Sequence, residues 1–213
     1  MFSPSPRPDF AATPRPAFGR AAQHQPAHAT PHKARAEVRY RRAARTAAEL
    51  LPELPTPGES VHALMTGTFD LCQVITATVT RLPACRHLRI ATLCFSKRNA
   101  AELLSLLDAR PGLALTLLVS AFFRDHNKGL FESFADDLTA HPHARLAAAR
   151  SHCKVVCFDV GDDHGLVFEG SANLRTNKNR EQLAVFRDRA LHDWHAAWID
   201  EMVNQHAGRT DHA

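Results

Sequence analysis

The chain has 213 residues, of which 45% are apolar and 23% charged, and a formal net charge of +4, which is room for one domain with a tail. Residues 1–50 carry nine Lys+Arg against three Asp+Glu, and the rest of the chain carries 17 against 19, so the positive charge belongs to an N-terminal arm on a near-neutral globule. No run approaches the roughly 18 apolar residues of a membrane span, the start has no apolar signal core, and the five cysteines form no CxxC pair. A reduced, cytoplasmic protein is the expectation.

Residues 1–58 hold ten of the 13 prolines and read as a disordered Pro/Arg-rich arm. Its Arg-rich, acid-poor start also resembles a transit peptide, which the prolines oppose. Within the arm, 34–51 (ARAEVRYRRAARTAAELL) contains good helix formers and predicts a helix with a basic face. Pro52, Pro55, Pro57 and Gly58 make the linker. The folded domain is expected over 59–206, with 207–213 as a C-terminal tail. A short strand at Val61–Met65 leads to a helix at Phe69–Leu82. A buried strand at Leu88–Phe95 leads to a helix at Asn99–Ala109, and a second at Leu113–Ser120 leads to one at Asn127–Thr139. Strands near 145–149, 152–159, 164–169 and 182–187 follow, then an amphipathic helix over about 190–205. This order implies an α/β fold: a mixed β-sheet flanked by helices on both faces. Ligands of open α/β sheets sit beyond the carboxyl ends of the strands. There the first three strands run out into Thr66-Gly67-Thr68, Ser96-Lys97-Arg98-Asn99, and Ser120 followed by Arg124, Asn127 and Lys128.

Residues 152–159 read His-Cys-Lys-Val-Val-Cys-Phe-Asp, the pattern HxKx4D. Gly170-Ser171-Ala172-Asn173, the pattern GSxN, begins eleven residues after Asp159. Together they are far more specific than most short motifs. Alternation along a strand puts His152 and Lys154 on one face with Val156 and Phe158, and Asp159 on the other with Cys153, Val155 and Cys157. Two cationic groups on a buried strand need an anion, and a phosphate fits that need. Asp159 is expected to orient structure and not to react.

These residues resemble the phospholipase D superfamily, whose signature is HxKx4D followed by GSxN. The resemblance is residue by residue over about 150–188 and looser, by element order, over about 60–206. Asn179-Arg180-Glu181 matches the superfamily's NxE. The resemblance implies that His152 is the nucleophile, that Lys154 and Asn173 bind phosphate oxygens, and that Glu181 pairs with the histidine. Ser171, Gly170 and Asp159 are expected to support the pocket, and Lys97, Arg124 and Lys128, which follow the strand ends, are expected to contact substrate. One signature copy implies a homodimer with two His152 side chains across a shared site. It implies neither cofactor nor metal, because lysines supply the charge. The activity implied is phosphodiester cleavage through a phosphohistidine. The basic arm favours a nuclease acting on DNA or RNA. The alternatives are a phospholipase or phosphatidyltransferase, and a nucleic-acid-binding module that does not cut.

Other patterns carry less. His126-Asn127-Lys128 is a second HxK, but Ser133 stands where the aspartate is needed. Cys153 and Cys157 with His152 and His164 suggest zinc, yet His152 points away from the cysteines. Asp162-Asp163 reads as a hairpin turn. On the last helix Leu191, Trp194, Trp198 and Met202 predict an apolar stripe for core and dimer packing, with a base-stacking platform as the alternative.

Overall fold

The computed structural model describes residues 37–41, 46–65, 67, 69–161, 165–175 and 179–207. In chain order the elements are β1 (Glu37–Arg41), α1 (Ala47–Leu50), β2 (Glu59–Met65), α2 (Leu71–Arg81), β3 (His87–Thr92), α3 (Lys97–Ala109) and β4 (Ala114–Ser120). Then come α4 (Ala121–His126), α5 (Lys128–Leu138), β5 (Ala144–Ala149), β6 (Val155–Asp159), β7 (Leu166–Gly170), β8 (Glu181–Arg187) and α6 (Arg189–His206). The strands form one eight-stranded sheet in the order β1-β2-β8-β7-β6-β3-β4-β5. β3, β4 and β5 run parallel, as do β1 and β2, while β6, β7 and β8 join the two halves through antiparallel pairings. The expected mixed sheet with helices on both faces is what the chain forms.

Alternation on β6 divides the core. Val156 and Phe158 join the larger apolar cluster with Leu50, Ile75, Leu103 and Phe134, on the side of the first five helices. Val155 and Cys157 join a smaller one with Leu191, Ile199 and Val203 of α6. Each fully buried aliphatic side chain of this kind contributes about 1.5–3 kcal/mol over leaving it in water. Helices begin where the sequence supplies caps. The Asp70 carboxylate accepts from Gln73 N (2.9 Å) and the Ser96 hydroxyl from Asn99 N (3.2 Å). Asn99 Nδ2 then donates to Asp70 (3.0 Å), tying the starts of α2 and α3 together.

Four expectations are corrected. The helix over 34–51 is instead strand β1, paired parallel with β2, followed by the single turn α1. Helix propensity is a weak prior, and backbone pairing with β2 overrides it. Leu50 and Leu51 are buried in the main core, so the folded unit begins before residue 59. The apolar stripe of α6 is also displaced. Leu191, His195, Ile199 and Val203 face inward, while Trp198 and Met202 lie at the margin and Trp194 is 45% exposed. His195 can be buried because both ring nitrogens are bonded: Trp198 Nε1–H donates to Nδ1 (2.9 Å), and Nε2–H donates to Glu169 (2.7 Å). The regular strand expected over 152–159 starts only at Val155. The arm before residue 37, Thr66, Thr68, Asp162, Asp163, His164 and the end of the C-terminal tail lie outside the described residues.

A polar network fastens α6 to the parallel strands. Asp200 accepts from Arg89 Nε (2.9 Å) and Arg145 Nη2 (2.6 Å). Arg145 Nη2 also donates to the Thr116 hydroxyl (2.9 Å), which leaves that hydroxyl's proton for His87 Nε2 (2.9 Å). His87 is therefore held neutral, and burial, helped by the Arg89 charge, lowers its pKa to about 4. A folded pKa below the unfolded value of about 6.5 means that the unfolded chain takes up the proton first. Stability conferred by neutral His87 is full above about pH 6.5 and is lost as the pH falls toward 4. Thermal melts of wild type and His87→Gln across that window should converge on acidification. Parallel curves would remove His87 from acid sensitivity.

Candidate active site

Strand directions gather the site at one sheet edge. The carboxyl ends of β2, β3, β4, β5 and β7 meet there with the amino ends of β6 and β8. His152 and Lys154 lie on the segment that crosses from β5 into β6. Lys154 Nζ donates to the His152 carbonyl (3.1 Å) and lies 3.2 Å from His152 Nδ1. The expected pairing of these side chains is present outside a regular strand, and Cys153 between them is exposed. His152 is exposed and Lys154 half-buried. Neither bears the desolvation cost expected of a buried strand, so that argument for an anion does not hold.

The GSxN residues occupy the β7 end and the turn after it. Ser171 pairs through its backbone with Gln182 O (3.1 Å), and its hydroxyl donates to the Glu181 carboxylate and accepts from Gln182 N (3.0 Å). Asn173 Oδ1 accepts from Leu93 N (3.1 Å) and the Thr92 hydroxyl (3.4 Å), which turns its NH2 donors away from β3. Gly170 N donates to Lys154 O (3.3 Å), linking the two motifs through backbone. A Cβ on Gly170 would stand 2.2 Å from Gln182 O, so the glycine is required by the close approach of β8 and not by its dihedral angles. Gly170→Ala should cost about 1–3 kcal/mol, read as a lower urea midpoint, because a backbone carbonyl must give way. An unchanged midpoint would show that the β7–β8 ladder relaxes freely.

Asp159 sits at the other end of β6, roughly 17 Å from Lys154 along an extended strand. Its carboxylate accepts from Gly161 N (3.1 Å) and lies 3.9 Å from Arg189, and its carbonyl accepts from Arg86 N (2.8 Å). The motif's third letter thus shapes a distant turn. Lys97 is exposed at the start of α3. Arg124 pairs with Asp125 (2.9 Å), and Lys128 lies 3.6 Å from Glu132. All three stand on segments leaving the same edge, but their bonds are local. His126, of the second HxK, is turned to the Phe122 carbonyl. Cys157 is buried in the core, its thiol pushed far up by burial, so it does not join Cys153 as a zinc ligand.

The sequence reading missed several residues. Thr92, the hydroxyl that ends β3, fixes Asn173 and Leu174 N (3.4 Å). Arg175, two residues after the GSxN run, is exposed, and with Lys154 it opposes the upward push of burial on the Cys94 thiol. A groove of about 720 Å3 flanks the site where α6 leaves β2 and β8 uncovered, and Cys153, Lys154, Gly170, His62, Glu169 and Gln182 are among its walls.

The order and directions of these strands have counterparts among solved structures. The chain is similar to NucT from Helicobacter pylori, with 19% identity and a TM-score of 0.51 over 70% of this chain and 99% of that one. The likeness is one of fold. Nuc from Salmonella typhimurium, described as a phospholipase D family member, superposes at a TM-score of 0.45 and 17% identity, over 61% of this chain and 88% of its own. Phosphatidylserine synthase of Haemophilus influenzae Rd KW20 does so at 0.47 and 14%, over 69% of this chain and 38% of its own. No family model and no curated protein matches the sequence. Among the described residues no helix is long and apolar enough to cross a membrane.

Proposed function

We propose that this protein is a phosphodiesterase that cleaves nucleic acid through a histidine nucleophile, acting as a homodimer. The observation that carries the reading is the Lys154–His152 contact, made beside the Ser171–Glu181 pair and the inward-anchored Asn173. An imidazole, an ammonium, a carboxylate and amide donors at one exposed edge are the groups a metal-independent phosphoryl transfer requires. The fold is shared with NucT from Helicobacter pylori, and the arm's excess of basic residues suits a polyanionic substrate.

In this mechanism His152 Nε2 attacks phosphorus, the bond to the leaving oxygen breaks, and His152 of the second subunit protonates that oxygen. Water then attacks the phosphohistidine while the second histidine takes its proton. The resting contact adds a step. An ammonium facing Nδ1 makes that nitrogen an acceptor and leaves the ring proton on Nε2. Attack through Nε2 therefore requires Lys154 to swing onto the phosphate, the Nε2 proton to leave to solvent, and Nδ1 to take up a proton from solvent that it then donates in a hydrogen bond to Glu181. Arrival of the phosphate and the change of tautomer are one event.

The test is cleavage of single-stranded and plasmid DNA in excess EDTA. Cleavage under these conditions supports the reading. Hydrolysis of phosphatidylglycerol vesicles with DNA left intact would make the protein a phospholipase. Salt-sensitive DNA binding without turnover would make it a binding module.

A further inference from the structure

We propose that Phe122 and His126 form a stacking platform for an unpaired base, which makes single-stranded nucleic acid the preferred substrate. This rests on the nucleic-acid reading above. Phe122 is 66% exposed, more than any other large apolar side chain among the described residues. One exposed aromatic is ordinary, but this one is held in place. Its ring stacks on His126 with centroids 3.9 Å apart and planes at 29°. His126 Nδ1 donates to the Phe122 carbonyl (2.8 Å), which fixes the second ring over the first. The helix beneath is locked as well. Phe123, the next residue, packs against Phe95 at 4.7 Å, and Phe95 against Phe134 at 5.1 Å, while the Ser120 hydroxyl caps α4 by accepting from Phe123 N (3.0 Å). Two stacked rings that need no ordering on binding are what a base stacks on at little entropic cost.

Position gives the platform its use. Ser120 and Ala149 are register partners on β4 and β5, and Ser120 N also reaches Leu93 O (3.3 Å) at the end of β3. Phe122 lies two residues beyond Ser120, and His152 three residues beyond Ala149. A strand with a phosphate at His152 therefore passes α4 within a few nucleotides. The cations nearest in sequence, Arg124, Lys128 and Arg150, add positive charge to this end of the sheet, with Arg124 and Lys128 compensated only by the exposed Asp125 and Glu132. In a duplex the bases are stacked on one another and present no face to Phe122.

Binding is measured in the His152→Ala background, so that nothing is cut. The probes are a labelled single-stranded oligonucleotide, its duplex, and phosphatidylglycerol vesicles. Phe122→Ala should weaken single-strand binding by roughly fivefold to a hundredfold and duplex binding by less than about twofold. Phe122→Trp should restore the single-strand affinity, and Phe122→Leu should not. Phe122 is exposed, so its replacement leaves the core untouched, and a melt of each variant controls for folding. Equal losses on both DNA forms, no loss, a loss confined to vesicles, or a changed sedimentation coefficient each overturns the platform. Absence of any nucleic-acid binding before Phe122 is altered overturns the functional reading along with it, and a Phe122-independent affinity overturns the platform alone.

Discussion

His152→Ala should abolish cleavage in EDTA, by on the order of ten-thousandfold or more, while leaving the fold intact. The structural half follows from exposure. The side chain's contact is with Lys154, and substitutions at such surface positions usually change stability by less than about 0.5 kcal/mol, which for a chain this size moves the melting temperature by about 2 °C or less. The chemical half follows from the covalent intermediate. A nucleophile cannot be replaced by better positioning, so the residual rate reflects binding alone. Acid-labile, base-stable attachment of substrate to wild type, absent from the variant, identifies the bond as phosphohistidine. The shared site adds a quantitative signature. If each dimer has one composite centre using both His152 side chains, equal mixing of wild type and variant with subunit exchange leaves about a quarter of the activity, whereas independent sites leave about half. Full activity in His152→Ala would end the mechanism, and a half in the mixture would end the shared site.

How much of this was legible in the sequence depended on the range of the interactions. Element order from residue 59 onward was readable because the buried strands β3 and β4 are rich in Leu, Ile, Val and Ala, and because Asp70 and Ser96 signal the starts of helices. β1 was not, since the strand exists only through its pairing with β2, a non-local interaction that its own helix formers contradict. The α6 stripe misled for a related reason. Burial of His195 depends on Glu169, 26 residues away, so hydrophobicity alone put the tryptophans inward. At the site, the motif residues were found by pattern. Period-two alternation placed Asp159 on the other face of β6 from Val156 and Phe158, but its separation from Lys154 follows from strand length. Thr92 and Phe122 had no motif to announce them. One acts through a backbone turn some 80 residues on, and the other through its exposure.

Lys154→Gln should lower kcat by about a hundredfold to a thousandfold, the cost of removing one fixed group that stabilises charge in a transition state. Glutamine is neutral and one atom shorter than lysine but keeps an N–H donor, and the segment entering β6 should hold its shape through the backbone bond from Gly170 N to Lys154 O. What disappears is the charge that swings from His152 Nδ1 to the phosphate. KM should rise less than kcat falls, because the charge matters most when the phosphoryl oxygens carry their greatest negative charge. Lys154→Arg separates charge from geometry. A guanidinium keeps the cation, but its planar fork cannot serve the carbonyl and then pivot to phosphate as a compact ammonium does. Binding of an uncleaved oligonucleotide should be nearly restored in the arginine variant, while kcat stays below about a tenth of wild type. If arginine restored the rate in full, the ammonium's pivot would be irrelevant and Lys154 would act as a static charge. If glutamine lost affinity and kept kcat, Lys154 would bind substrate in its ground state and take no part in the chemical step.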